Sequence, residues 1–167
     1  MRASDNVEPK SFKYDNQIKS SKHDDICLWL SDKLKKEGPS FIYSVFDKDL
    51  FSSTTIKAGP KVVWERQISG GSYGKKQALG FIDMSCEMSF KKNNIEEGEF
   101  PYINKLAFFE IKTSVNLGET IRQINYYRNN MESDYCGEEI LWYVCAPKFG
   151  REDVLLDNDI GFIEYKP

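Results

Sequence analysis

The first sustained apolar period in the chain falls in SKHDDICLWLSDKLKKEGP, where Ile26, Trp29, Leu30 and Leu34 recur at three- and four-residue intervals. That spacing predicts an amphipathic helix beginning at Ser21, with Ser21 and Asp24 placed like a capping box and with Gly38-Pro39 as its stop. Residues 1–20 are polar and lack such a period, so they read as an N-terminal extension or partly ordered arm. Beyond the helix, the runs SFIYSVF (40–46), VVWERQI (62–68) and ALGFIDM (78–84) are rich in aromatic and β-branched residues and read as strands. The glycine-rich SGGSYG between the last two suits a hairpin connection. It is no phosphate-cradling loop, because it lacks the GK(S/T) ending and no helix follows it.

After the charged stretch KKNNIEEGEFP, the run KLAFFEIKT (105–113) predicts a buried strand. Asn116 to about Met131 then predicts a helix with Asn116 and Glu119 as its capping pair, and EILWYVCAP and IGFIEYKP predict two further strands. The expected architecture is one α/β domain over residues 21–167, with a central mixed β-sheet flanked by helices in an α-β-β-β-α-β core.

Composition narrows the function classes. A chain of 167 residues that is 40% apolar and 14% aromatic can bury one core and not two of ordinary size. No stretch reaches the roughly 18 to 20 consecutive apolar residues of a membrane span, and MRASDNVEPK lacks the apolar segment of a signal peptide. The expectation is a soluble, cytoplasmic protein with no membrane partner. Cys27, Cys86, Cys136 and Cys145 form no CxxC pair and sit mostly among apolar neighbours, so they read as reduced core thiols. The single histidine, His23, rules out a zinc site built on several imidazoles and reads as a surface residue at a helix start. A net charge of −3 argues against coating nucleic acid through bulk positive charge, although the pairs Lys35-Lys36, Lys75-Lys76 and Lys91-Lys92 could contact a backbone locally.

Candidate chemistry comes from charges that interrupt apolar faces. Side chains alternate along a strand, so Leu106, Phe108, Glu110 and Lys112 share one face of KLAFFEIKT while Ala107, Phe109 and Ile111 share the other. The same parity in ALGFIDM aligns Leu79, Phe81 and Asp83. A charge that ends an apolar row is costly unless it is paired or holds a metal. If the two strands are neighbours, Asp83 and Glu110 can converge on one divalent cation, with Lys112 reaching the same pocket to orient or deprotonate a water or to stabilise phosphorane charge. A plain carboxylate–lysine ion pair at the sheet's end is the other reading of the same residues. Gln123 and Tyr127 share a helix face at i, i+4 and could anchor Lys112, while Arg122 or Tyr127 could touch a phosphate. Glu65 is a spare candidate ligand. An oxygen-rich ligand set suits Mg²⁺ or Mn²⁺.

GFID (80–83), EIKT (110–113) and QINYY (123–127) resemble, in order and each on the expected element, the GxxD, (D/E)xK and QxxxY motifs of PD-(D/E)XK nucleases, in particular their RecB-like and lambda-exonuclease-like branch. The resemblance covers about residues 21–145; Ile82-Asp83 replaces the proline-aspartate pair that names the superfamily. It implies a restriction-endonuclease-like domain and metal-dependent hydrolysis of nucleic acid, DNA before RNA. It further implies Asp83 and Glu110 as metal carboxylates, the backbone carbonyl of Ile111 as a further ligand, Lys112 as the catalytic lysine, and Gln123 with Tyr127 as its supports. The family's first-helix acid would fall by position on Asp25. Nucleases of this type often cut duplexes as dimers, so a homodimer stays open. Two rival expectations stand beside this one: a module of the same fold that binds nucleic acid or a protein without catalysis, and a hydrolase of small phosphate esters.

Overall fold

Helix α1 (Ser21–Glu37) buries Ile26, Cys27, Leu30 and Leu34 and ends where Gly38 adopts φ +73° and donates its N–H to Leu34 O at 3.2 Å. That left-handed termination is one glycine makes without a Cβ clash. The computed structural model describes residues 21–38, 40–43, 49–70, 77–131 and 139–167, and the backbone of 13–14 and 17–18. Within the expected extension, Lys13–Tyr14 (β1) and Gln17–Ile18 (β2) pair as a small antiparallel ribbon. The rest of that extension, most of the SGGSYG connection, Lys75-Lys76 and Cys136 lie outside the described residues.

The run expected as a strand at 40–46 opens instead with a short helix, α2 (Ser40–Tyr43). Ile42 is buried in the core there and its carbonyl accepts the Tyr143 hydroxyl, so packing and one buried hydrogen bond decide a conformation that a few apolar residues leave open. Residues 44–48 lie outside the described residues. Helix α3 (Leu50–Ser53) then leads into a five-stranded sheet. Its strands are β3 (Thr54–Gly70), β4 (Gln77–Lys92), β5 (Tyr102–Ile111), β6 (Glu139–Ala146) and β7 (Ile160–Glu164), in the spatial order β3-β4-β5-β6-β7. β3, β4 and β5 are antiparallel neighbours, and β5, β6 and β7 are parallel ones. The sheet is therefore mixed, and the order from α1 through β6 is the expected one apart from the added short helices α2 and α3. β3 and β4 extend well past the predicted 62–68 and 78–84, and a short helix that the periodicity did not predict, α5 (Glu152–Asp157), links β6 to β7.

Two apolar layers sandwich this sheet. Successive parallel crossovers of one hand in one direction place their helices on the same face, and α4 (Leu117–Asn130) and α5 do share a face, packing Ile124, Tyr127 and Leu155 against Ile68, Ile82, Phe108, Trp142 and Val144. The other face is left to α1, whose Ile26, Leu30 and Leu34 cluster with Trp64, Met84, Ala107, Phe109 and Tyr143. Asn116 caps α4 as expected, accepting the Glu119 N–H at 3.2 Å. Among the described residues no helix is long and apolar enough to cross a membrane. Cys27, Cys86 and Cys145 are free and buried, and burial pushes the Cys145 thiol well above its usual pKa, as an inert core thiol requires.

The tightest approach in the parallel half is between Gly161 and the ring of Tyr143, where an added Cβ would stand 2.4 Å from Cε1. Tyr143 is wedged in turn against Phe109, with ring centroids 5.4 Å apart, so the ring has little room to yield. Gly161→Ala should therefore destabilise the fold by about 1–3 kcal/mol, read as a lower urea midpoint at unchanged slope. A midpoint equal to wild type would show that the ring is free to move.

Candidate active site

The ladder between β4 and β5 ends at Met84↔Phe109, while β5 and β6 stay paired through Ile111↔Cys145. One residue past the end of the ladder, Asp83 does with its side chain what the β4 backbone no longer does: its Oδ2 accepts the N–H of Ile111 at 2.8 Å. The strands thus begin to part where Asp83 and Glu110 stand, each 4% exposed.

The strand parity expected for β5 is the one observed. Leu106 and Phe108 join the layer under α4, Ala107, Phe109 and Ile111 join the layer under α1, and alternation carries Glu110 and Lys112 to the α4 side. In β4 the expected row of Leu79, Phe81 and Asp83 does not hold. Met84 packs under α1 and Ile82 under α4, although residues two apart share a face in a regular strand. β3 switches at the same level: Trp64 lies in one layer and Ile68 in the other, and between them Glu65 takes a left-handed φ of 54°. The pairs Trp64↔Met84 and Arg66↔Ile82 put Glu65 opposite Asp83 at this switch. A non-glycine residue in that region of backbone space is costly, and such positions concentrate at functional sites.

Glu110 and Lys112 form an ion pair, with Oε2 and Nζ 3.6 Å apart. Lys112 Nζ also donates to Gln123 Oε1 at 3.2 Å, and Gln123 Nε2 donates to the Tyr127 hydroxyl at 3.4 Å. The Lys112 backbone is fixed as well, its N–H donating to Cys145 O at 3.0 Å. The resemblance-implied residues Glu110, Lys112, Gln123 and Tyr127 therefore form one connected chain from strand to helix, and Asp83 joins it through the Ile111 backbone. Arg122 is exposed.

The contribution of α1 differs from the expectation. Asp25 is exposed, whereas His23 and Asp24 are buried at 7% and 5%. His23 Nε2 lies 3.3 Å from Asp83 Oδ1, and its Nδ1 lies 3.8 Å from Asp24 Oδ1 and 3.6 Å from Cys27 Sγ. One residue along a helix turns the side chain by about 100°, enough to put Asp24 inside and Asp25 outside. A signal for His23 was present in the sequence: it precedes Cys27, Leu30 and Leu34 at i, i+4, i+7 and i+11 and so extends their buried stripe.

Four carboxylates, Asp24, Glu65, Asp83 and Glu110, are thus buried around or beside the point where the strands part. Negative charge held in the interior is costly, and a divalent cation offsets it. Among the described residues no three His, Cys, Asp or Glu side chains already converge as a metal cage. Carboxylates on adjacent strands suit Mg²⁺ or Mn²⁺ better than zinc, because Mg²⁺ is usually held by one or two carboxylates and keeps several waters. Compared with protein-family models, with curated proteins and with solved structures, the chain matches none.

Gly80 couples the strand to this chain of contacts. A Cβ there would stand 2.5 Å from the Tyr127 hydroxyl oxygen and 3.1 Å from Cε1, so only glycine lets the ring lie against β4. Gly80→Ala should cost about 1–3 kcal/mol of stability, and Tyr127→Phe in that background should recover part of it by removing the nearest atom. A double-mutant cycle from denaturant unfolding tests the coupling; additive effects would mean that the two residues do not press on each other.

Proposed function

We propose that this chain is a metal-dependent phosphodiesterase of restriction-endonuclease-like fold that hydrolyses nucleic acid, with DNA its expected substrate. The observation that carries the reading is the contact chain Glu110–Lys112–Gln123–Tyr127 set beside Asp83 where two strands part. A surface ion pair needs neither a buried carboxylate on the next strand nor a glutamine and a tyrosine lined up behind the lysine.

In this reading Asp83, Glu110 and the Ile111 carbonyl hold Mg²⁺ or Mn²⁺. The cation supplies positive charge that makes a water more acidic and offsets the charge of the phosphate. Lys112, held by Glu110 on one side and Gln123 on the other, directs its ammonium at the attacking water or at the oxygens that gain charge as phosphorus becomes five-coordinate. Water oxygen forms the new bond to phosphorus, the bond from phosphorus to the leaving ester oxygen breaks, and that oxygen takes up a proton. Gln123 and Tyr127 keep Lys112 from swinging into solvent, to which its side chain is 28% exposed. His23 steadies Asp83 from the α1 side and stands close enough to share in holding the cation. Asp24 orients His23.

Incubation of the protein with linear, circular and single-stranded DNA in Mg²⁺, Mn²⁺ or EDTA tests the assignment. Cleavage should require the metal, and Asp83→Asn, which keeps an acceptor for the Ile111 N–H, Glu110→Ala and Lys112→Ala should each lower its rate by at least about 100-fold with circular dichroism unchanged. Wild-type cleavage by any of the three would sink the mechanism. Absence of cleavage under every metal would leave a nucleic-acid- or protein-binding module, and cleavage of model diesters alone would leave a small-ester hydrolase. Of the adjacent acids, Asp24→Asn should slow cleavage and Asp25→Asn should not; the reverse order would return the first-helix role to Asp25.

A further inference from the structure

The antiparallel half of the sheet has one covered face and one open face. The rows Val62–Cys86–Ala107 and Trp64–Met84–Phe109 join the buried layer under α1, and the outer row Ile56–Phe90–Ile103 is apolar on the same face, with Ile56 exposed. The alternate rows run Thr55–Lys91–Tyr102, Ala58–Ser89–Asn104, Lys61–Glu87–Leu106 and Val63–Ser85–Phe108. α4 covers this second face only at its Leu106 and Phe108 end, and Lys57, Lys61, Lys91 and Asn104 are exposed.

The open rows are basic as well as polar. Lys61 and Lys91 stand in them against one carboxylate, Glu87. Lys57 adds its ammonium 3.7 Å from the Tyr102 ring centroid, beside Lys91 in the same row. Arg66 adds a guanidinium 5.6 Å from the Phe108 ring and within 3.4 Å of the Ser85 hydroxyl. The acids of the loop at 93–101 do not cancel this charge evenly, since Glu99 is held at 2.6 Å by Lys92, which alternates to the opposite face. Lys61, Glu87 and Ser89 also line a depression of about 220 Å³. Ser85, Leu106 and Phe108 are buried where α4 covers this face, so the open strip continues toward the candidate site along β3, through half-buried Val63 and Arg66.

We propose that this face of β3, β4 and β5 is the track along which the phosphodiester backbone of the nucleic-acid substrate lies on its way to Glu110 and Lys112. The proposal rests on the hydrolytic reading above and adds where the substrate binds. From Lys57 to Arg66 on β3 the track is at most about 30 Å long at ~3.3 Å per residue. Arg66 lies nearest the reacting end, followed by Lys61, Lys57 and Lys91. Between them, half-buried Ser89 and exposed Asn104 offer hydrogen bonds without opposing charge. The occupant is identified by charge: a chain whose net charge is −3 gathers cations on one open sheet face, and a regularly spaced polyanion complements that face.

The test compares wild type with the triple variant Lys57→Gln/Lys61→Gln/Lys91→Gln, using Lys35→Gln/Lys36→Gln/Lys166→Gln, three exposed lysines away from this face, as the charge-matched control. Cleavage of a labelled 30-base-pair duplex is followed in Mg²⁺ from about 50 to 200 mM salt. The triple variant should raise KM at least about tenfold with kcat within twofold, and the slope of log(kcat/KM) against log[salt] should become shallower by about 2 to 3, near 0.9 per lost phosphate contact. The control should match wild type. An unchanged slope and KM in the triple variant overturn the track while leaving hydrolysis intact. If wild type does not cleave, the hydrolytic reading falls, and the same slopes are read by fluorescence anisotropy of the labelled duplex: a shallower slope in the triple variant alone upholds the track, and equal slopes, or no binding by wild type, overturn it.

Discussion

The geometry of the site depends on one hydrogen bond, from the Ile111 N–H to the carboxylate of Asp83. A strand pair that separates would leave backbone groups of its central strand without partners, which a buried sheet does not tolerate. Here a side chain takes over from the backbone, so β4 can leave β5 while the amide stays satisfied. The same bond fixes one oxygen of Asp83 and turns the other toward His23. It is charge-assisted and therefore stronger than the ladder bond it replaces. Without it, β4 would have to stay paired, which would close the gap beside Glu110, or else leave the Ile111 amide buried and unsatisfied.

From that point two supports hold the charged residues from opposite sides of the sheet. On the α1 side, His23 lies against Asp83 with Asp24 and Cys27 beside its ring; on the α4 side, Gln123 and Tyr127 hold Lys112. The reversal of face at Glu65 and Asp83 makes this possible, because it lets neighbouring stretches of one hairpin serve first one apolar layer and then the other. Gly80 belongs to the same arrangement. By omitting a side chain it lets Tyr127 rest on β4, which ties the position of the helix to the strand that carries Asp83.

How far this was legible in the sequence follows from how local each signal is. The alternation in KLAFFEIKT is a period-two pattern eight residues long with charges at its end, and it assigned both faces of β5 correctly. The i, i+4 spacing of Gln123 and Tyr127 placed both on the face of α4 that meets Lys112. The row through Leu79, Phe81 and Asp83 failed because alternation assumes a regular strand, and the switch opposite Glu65 depends on a backbone conformation that no residue type signals. Asp25 was favoured over Asp24 because the resemblance placed the first-helix acid by position, next to Ile26. Counting His23 into the apolar stripe of α1 would have put the buried face one residue earlier. The outer half of the hairpin went unread because its residues, TTIKAGPK on β3 and the alternate polar positions of β4, bury little and so carry almost no apolar period.

The two halves of the sheet divide the physical work. The parallel half has apolar layers on both faces, with Trp142 packed edge-on against Phe108 at 5.0 Å and Tyr143 stacked on Phe109. Its burial supplies the rigidity that a cluster of interior carboxylates requires. The antiparallel half needs only one buried face to stay folded, since an antiparallel sheet tolerates solvent on the other. Its free face can therefore carry lysines and an arginine at no cost to the core. Glu110 and Lys112 sit where these halves meet, on the last turn of β5 before the chain enters α4. Charged groups placed deeper in the parallel half would lose access to any substrate, and groups placed farther out on the hairpin would lose the packing that holds them still. The boundary provides both.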